Sequence, residues 1–252
     1  FEGETVVDVD AEFLGEGAPM NDLPAEDPPA PERNLPDLDP EGGLADAFET
    51  VVSSPNTASK EWVYRQYDHE VGVRTAMRPG DDAAVLALED GDVGLAISGG
   101  SDPRWTTVAP REGARAVALE NATNLAVKGA RPLAAVDCLN GGNPEKPDVY
   151  GGFAGIVDGL AEMCATLDVP VVGGNVSLYN DSEAGPIPPT PTLMMVGKRE
   201  GVGAPPARLS GEGTLLLVGD PDGDLGGSEY VHRAGGSDRF PALPADPAER
   251  IA

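Results

Sequence analysis

Leu133-Ala-Ala-Val136, then Asp137-Cys138-Leu139-Asn140-Gly141-Gly142-Asn143-Pro144-Glu145-Lys146-Pro147, then Tyr150–Leu167, then Val169-Pro-Val-Val172 and Gly173-Gly174-Asn175-Val176-Ser177-Leu178-Tyr179-Asn180: this stretch decides the fold. Its first four residues are apolar and read as a short buried strand. In Tyr150–Leu167, Phe153, Ile156, Val157, Leu160, Met163, Cys164 and Leu167 recur at helical spacing and form one apolar stripe. Val169–Val172 reads as a second strand. Each strand leads into a segment of small and oxygen-bearing residues, read here as two loops. If the strands are neighbours, the two loops share one rim.

Outward from this unit the same reading continues. Ala83–Leu88 and Val93–Ile97 are expected to be strands joined by a turn at Glu89-Asp90-Gly91-Asp92. Glu112–Lys128 reads as a helix, with Gly129 as its C-cap. Thr192–Val196 and Thr214–Val218 read as further strands, the latter opening a new domain. Upstream, Leu44–Val52 reads as a short helix, followed by one carrying Trp62, Val63 and Tyr67 that Thr57 or Ser59 can cap. Residues 1–43 are rich in Pro, Asp and Glu and read as linker, with one short strand at Val6-Val7-Asp8-Val9 ending a preceding domain. The order of strands and helices predicts an α+β fold, a mixed sheet with helices on one face, over residues 44–200. Residues 201–252 are expected to begin a second α/β domain that stops short.

Bulk properties narrow the function. Asp plus Glu total 43 against 17 basic residues, a net charge of −26, which repels nucleic-acid phosphates. Only four of those bases are lysines, and an acidic, lysine-poor surface suits high salt, where self-repulsion is screened. No run of about 18 apolar residues is present to span a membrane, and the acidic start Phe1-Glu2-Gly3-Glu4 does not read as a signal peptide. A soluble cytoplasmic protein is expected. Two cysteines, Cys138 and Cys164, make neither a disulfide framework nor a zinc site. There is no P-loop and no dinucleotide fingerprint. Asp220-Pro-Asp222-Gly-Asp224 starts like a calcium loop, but Leu225 stands where glycine is required and Val231 where glutamate is.

The two loops remain. Asp carboxylate and Asn carbonyl are hard oxygen ligands suited to Mg²⁺. Paired glycines let backbone approach phosphate oxygens, and the Ser177 hydroxyl can donate to a phosphate or substrate oxygen. The residues alone equally allow two tight turns in which Asp and Asn bond their own backbone.

Ser53-Ser-Pro-Asn-Thr-Ala-Ser-Lys-Glu-Trp-Val-Tyr-Arg-Gln-Tyr-Asp-His69, Arg78-Pro-Gly-Asp-Asp-Ala-Ala-Val85, both loops, Pro189-Thr-Pro191 and Leu225-Gly-Gly-Ser-Glu-Tyr230 appear in the order found in one known family. Together they resemble the second half of the synthetase subunit of phosphoribosylformylglycinamidine synthase, over roughly residues 44–232. The resemblance implies the fold of aminoimidazole ribonucleotide synthetase, in which two similar halves pack as a pseudo-dimer. By position it implies that Asp137 and Gly174 contact ATP, Asn175 is a Mg²⁺ ligand and Ser177 contacts the ribonucleotide substrate. The implied reaction joins formylglycinamide ribonucleotide, ATP and glutamine-derived ammonia into formylglycinamidine ribonucleotide, ADP and phosphate. Implied partners are a glutaminase subunit, a small bridging subunit and the missing first half of the synthetase. That half holds the family's catalytic His, so no catalytic residue is assigned in this chain. The alternative is a non-catalytic half that stabilises a partner half or holds nucleotide structurally. Two departures stand out. Gly100 lies where the family carries Asp, so no metal ligand is assigned there, and Gly141 replaces an aromatic.

Overall fold

The structure, a computed structural model, describes residues 1–35, 43–88, 92–205, 211–214, 216 and 223–252. Its elements begin with helices α1 (Ala11–Glu16), α2 (Leu44–Val52) and α3 (Glu61–Tyr64), then strands β1 (Thr75–Met77), β2 (Ala84–Ala87) and β3 (Val93–Gly100). Helices α4 (Pro103–Val108) and α5 (Pro110–Ala126) lead to β4 (Arg131–Asn140), α6 (Pro147–Thr166) and β5 (Val171–Ser177). A small ribbon, β6 (Asp181–Ser182) and β7 (Gly185–Pro186), precedes β8 (Thr190–Glu200), and α7 (Glu229–Ala234) and α8 (Pro247–Ile251) complete the series.

Six strands form one sheet in the order β1-β2-β3-β8-β4-β5. Only β4 and β5 run parallel, joined through α6; every other neighbouring pair is antiparallel. The sheet is therefore mixed, as the order of elements predicts. Alternation shows which face is covered. On β8, Leu193 and Met195 are fully buried while Met194 between them is 48% exposed. On β4, Ala135 and Leu139 are buried and Val136 is exposed. The buried set packs under α5 and α6, through Val117, Leu125, Ile156, Leu160 and Met163. The opposite face carries no helix among the described residues.

Two lengths of chain depart from the sequence reading. Both strands of the central unit run further than their apolar cores suggest: β4 continues through Asn140 and β5 through Ser177. Gly and Asn have low strand propensity, so sequence marks a strand end there, but the parallel ladder supplies enough backbone bonds to extend it. Val6–Val9 forms no strand. Those residues are exposed and have no neighbouring strand to pair with among the described residues. The expected turn at 89–91 and most of Thr214–Val218 lie outside the described residues.

Residues 26–34 lie against the domain. Glu26 N–H donates to the Pro147 carbonyl at 3.0 Å, Asn34 pairs with Ser237, and Arg33 lies 3.3 Å from the fully buried Asp238 carboxylate. Asp238 in turn accepts from the Leu225 and Arg239 amides, both at 2.8 Å.

Candidate functional site

The parallel ladder brings the four residues singled out by sequence into register. Asp137 pairs with Gly174, Cys138 with Asn175, and Asn140 with Ser177. A Cβ at Gly174 would meet the Asp137 carboxylate, which would have to turn aside. Gly141, where the resembled family carries an aromatic, is constrained in the same way, because a Cβ there would meet the Phe153 ring at 2.7 Å.

Alternation also separates the side chains. Asp137 shares the helix-covered face with Ala135 and Leu139, and its charge helps burial push the Cys164 thiol up to about 11. Asn175 lies on the open face beside Cys138, its amide 3.9 Å from the sulfur. Ser177 and Asn140 follow the same parity. The four residues therefore meet at the backbone, while the Asp137 carboxylate and the Asn175 amide point to opposite faces. Asp137 is half-buried and has no hydrogen-bond or ion-pair partner among the described residues. Burial raises its pKa above the ordinary carboxylate value. An unpartnered carboxylate in such a place leaves its acceptor capacity free for a ligand.

Beyond the strands, the two loops are bound to each other. Tyr179 N–H donates to Gly142 O at 3.0 Å, Asn180 N–H to Gly141 O at 3.1 Å, and Asn143 N–H to Asp181 Oδ1 at 2.8 Å. Lys146 Nζ is 2.5 Å from Asp181 Oδ2, and Lys146 first, then the Asn143 amide, lowers the Asp181 pKa.

A second region was not singled out from sequence. Glu229, 8% exposed, accepts from Ser54, from Asn56 at 3.1 Å and from Arg104. These bonds, Ser54 first, hold its carboxyl at about 2. The Arg104 guanidinium, which also reaches Asp102 at 2.8 Å, is raised well above its ordinary value. Asp102, Arg104, Glu120, Asn124 and Glu229 line a cavity of about 760 Å³ beside α5 and α7. Burial, and after it the charge of Asp102, raises the Glu120 pKa. The available signal was the pairing of Ser53-Ser-Pro-Asn with Leu225-Gly-Gly-Ser-Glu, two quoted motifs that the structure joins across 173 to 175 positions. The described residues contain no group of three His, Cys, Asp or Glu able to hold a metal alone, and no helix long and apolar enough to cross a membrane.

A half-covered mixed sheet with this parallel pair defines a class: residues 80–198 match the family of AIR synthase related protein, N-terminal domain. The chain is 70% identical over its whole length to phosphoribosylformylglycinamidine synthase subunit PurL of Natronomonas pharaonis. It is 69% identical to that of Haloarcula marismortui, in each case covering 35% of the relative. The chain belongs to the PurL family and spans about a third of the length of these members. Among solved structures, PurLQS from Thermotoga maritima superposes on 79% of this chain at 28% identity with a TM-score of 0.62, covering 31% of that chain. T. maritima PurL complexed with ATP gives 27% identity and 0.59 over 79% of this chain and 30% of its own. PurL complexed with FGAR gives 30% and 0.56 over 77% and 29%.

Proposed function

We propose that this chain supplies one synthetase half of the ATP-dependent ligase that converts formylglycinamide ribonucleotide and glutamine-derived ammonia into formylglycinamidine ribonucleotide. The observation that carries the reading is the unpartnered Asp137 carboxylate set against Gly174 in the parallel pair. PurL structures that superpose on this chain are complexed with ATP and with FGAR. In this reading Asp137 and Gly174 contact ATP, and Ser177 donates to the ribonucleotide. Mg²⁺ is a hard cation needing about six oxygens. Asn175 Oδ1 is one suitable donor, and the remainder must come from phosphate oxygens, water and other parts of the full subunit. Bound there, the ion would neutralise charge on the transferring phosphoryl group. Phosphorylation of the substrate's amide oxygen makes a leaving group that ammonia then displaces as phosphate. The partners proposed are the glutaminase subunit, a small bridging subunit and the rest of the synthetase, which would cover the open sheet face. PurLQS offers a solved assembly of the same family in support.

A second reading has its own support. Because Asp137 and Asn175 point to opposite faces, this half can hold nucleotide structurally or simply stabilise a partner half. Asp137→Asn in the full-length enzyme separates the two. A carboxyl with raised pKa is harder to ionise in the folded state than in the unfolded one, so its charge costs stability above the unfolded pKa. The variant should therefore melt at the same or a higher temperature at pH 7. If the site is catalytic, kcat/KM for ATP falls roughly 10²-fold or more. Unchanged turnover, with the rise in melting temperature on adding ATP reduced, would establish the structural role instead.

A further inference from the structure

Asn180 sits where the two loops meet and does not belong to either strand. Its side-chain amide lies 3.1 Å from three acceptors: the Ser177 carbonyl, the Ser177 hydroxyl oxygen and the Gly141 carbonyl. Its backbone N–H donates to Gly141 O at 3.1 Å, and Gly141 N–H donates back to Ser177 O at 2.9 Å. One side chain thus ties the last residue of β5 to the first residue beyond β4. Tyr179, immediately before it, takes the left-handed conformation at φ 61° that turns Asn180 back over Ser177.

The consequence falls on a hydrogen atom. With two hydrogens for three acceptors, Asn180 Nδ2 shares one N–H between the two Ser177 oxygens, so Ser177 Oγ already serves as an acceptor. The hydroxyl hydrogen must then point elsewhere, and its one acceptor among the described residues is Asn180 Oδ1 at 3.5 Å, the outer limit of a hydrogen bond. The hydroxyl is left as a donor to an oxygen arriving from outside. We propose that Asn180 is a positioning residue: it holds Ser177 with its O–H directed outward, as a donor for a negatively charged or carbonyl oxygen of the ribonucleotide substrate. The proposal rests on the assignment of Ser177 to substrate made above. From the neighbouring loop, Lys146 reaches Asp181, the residue after Asn180, at 2.5 Å, and Glu145 Oε1 lies 3.2 Å from Tyr179 Oη.

The test uses the full-length synthetase with its glutaminase. Asn180→Leu preserves most of the side-chain volume and removes the amide without adding charge. Expected is a rise of roughly tenfold in KM for the ribonucleotide, the size of one lost charge-assisted bond. KM for ATP and kcat should stay within about twofold. Introduced into Ser177→Ala, the same substitution should add less than about twofold, because both changes remove one interaction. Asn180→Ala serves if the Leu variant fails to fold. Equal effects of Asn180→Leu with and without the Ser177 hydroxyl would overturn the proposal, as would a fall in kcat and melting temperature at unchanged KM. If Ser177→Ala raises KM and Asn180→Leu does not, the clasp is wrong and the substrate assignment stands. If Ser177→Ala itself leaves KM unchanged, the substrate assignment fails and takes the positioning role with it.

Discussion

Glu229 gathers donors from Ser54, Asn56 and Arg104 onto one carboxylate, and the pH consequence can be worked out. Its folded pKa of about 2 lies below the ordinary 4.5. A depressed carboxyl contributes stability that is fully present above the unfolded value and lost as pH falls through the folded one. Urea unfolding of the chain should therefore show Glu229→Gln to be less stable at pH 5, with the two proteins converging as pH drops toward 2. Curves that stay parallel over that range would remove the carboxylate from the account. The same residue shows a limit of reading residues from sequence. Asp137, Gly174, Asn175 and Ser177 were legible as neighbours because each follows an apolar run of sequence. Their division between two faces was not, since alternation could be counted only once the strands were known to run through them. Glu229 was legible only as part of a motif. What makes it low-pKa is Ser54, 175 positions away.

At the scale of elements, α5 and α6 pack closely because glycine stands at the crossing. A Cβ on Gly159 would strike the Arg111 carbonyl and come within 3.0 Å of the Ala114 methyl. Both neighbours are fixed by helix backbone, so the strain has no cheap outlet. Gly159→Ala should lower the free energy of unfolding by about 1–3 kcal/mol. Gly173→Ala, with no atom within 4 Å, is the control and should be neutral or slightly stabilising. Equal effects at the two positions would mean that backbone freedom, not helix contact, sets the outcome. The long helices and most strands were legible because their apolar periods are strong: α5 and α6 lie within a few residues of expectation. Short elements were not. Helix α4 starts at Pro103 under an Asp102 cap whose carboxylate accepts the Arg104 amide, a local signal with no apolar stripe behind it. Helix α3 ends at Tyr64, before the Tyr67 that the sequence reading places on it, because the Gln66 side chain and Tyr67 amide bond back to the last carbonyls.

For the whole molecule, charge dominates. A net charge of −26 on 252 residues opposes compaction at every separation the solvent does not screen. The Debye length falls from about 10 Å at 0.1 M salt to about 3 Å at 1 M. The melting temperature of the chain should therefore climb as KCl is raised through that range. A flat or falling response would show that local pairs such as Lys128 with Asp81, 2.5 Å apart and with the lysine 2% exposed, already compensate the repulsion. That charge was plain in the composition, whereas the buried lysine was not, since nothing around Lys128 in sequence distinguishes it from a surface residue.

The strap of residues 26–34 has a practical meaning for where a domain may be cut. Composition invites a cut after residue 43, where the proline-rich run ends. A protein trimmed there would lose Arg33 and leave the fully buried Asp238 side chain, among the described residues, with the Leu225 and Arg239 amides for company. It would also uncover the Pro147 carbonyl at the head of α6. Contacts with the domain therefore reach back to Glu26, through residues whose composition marks them as a tether.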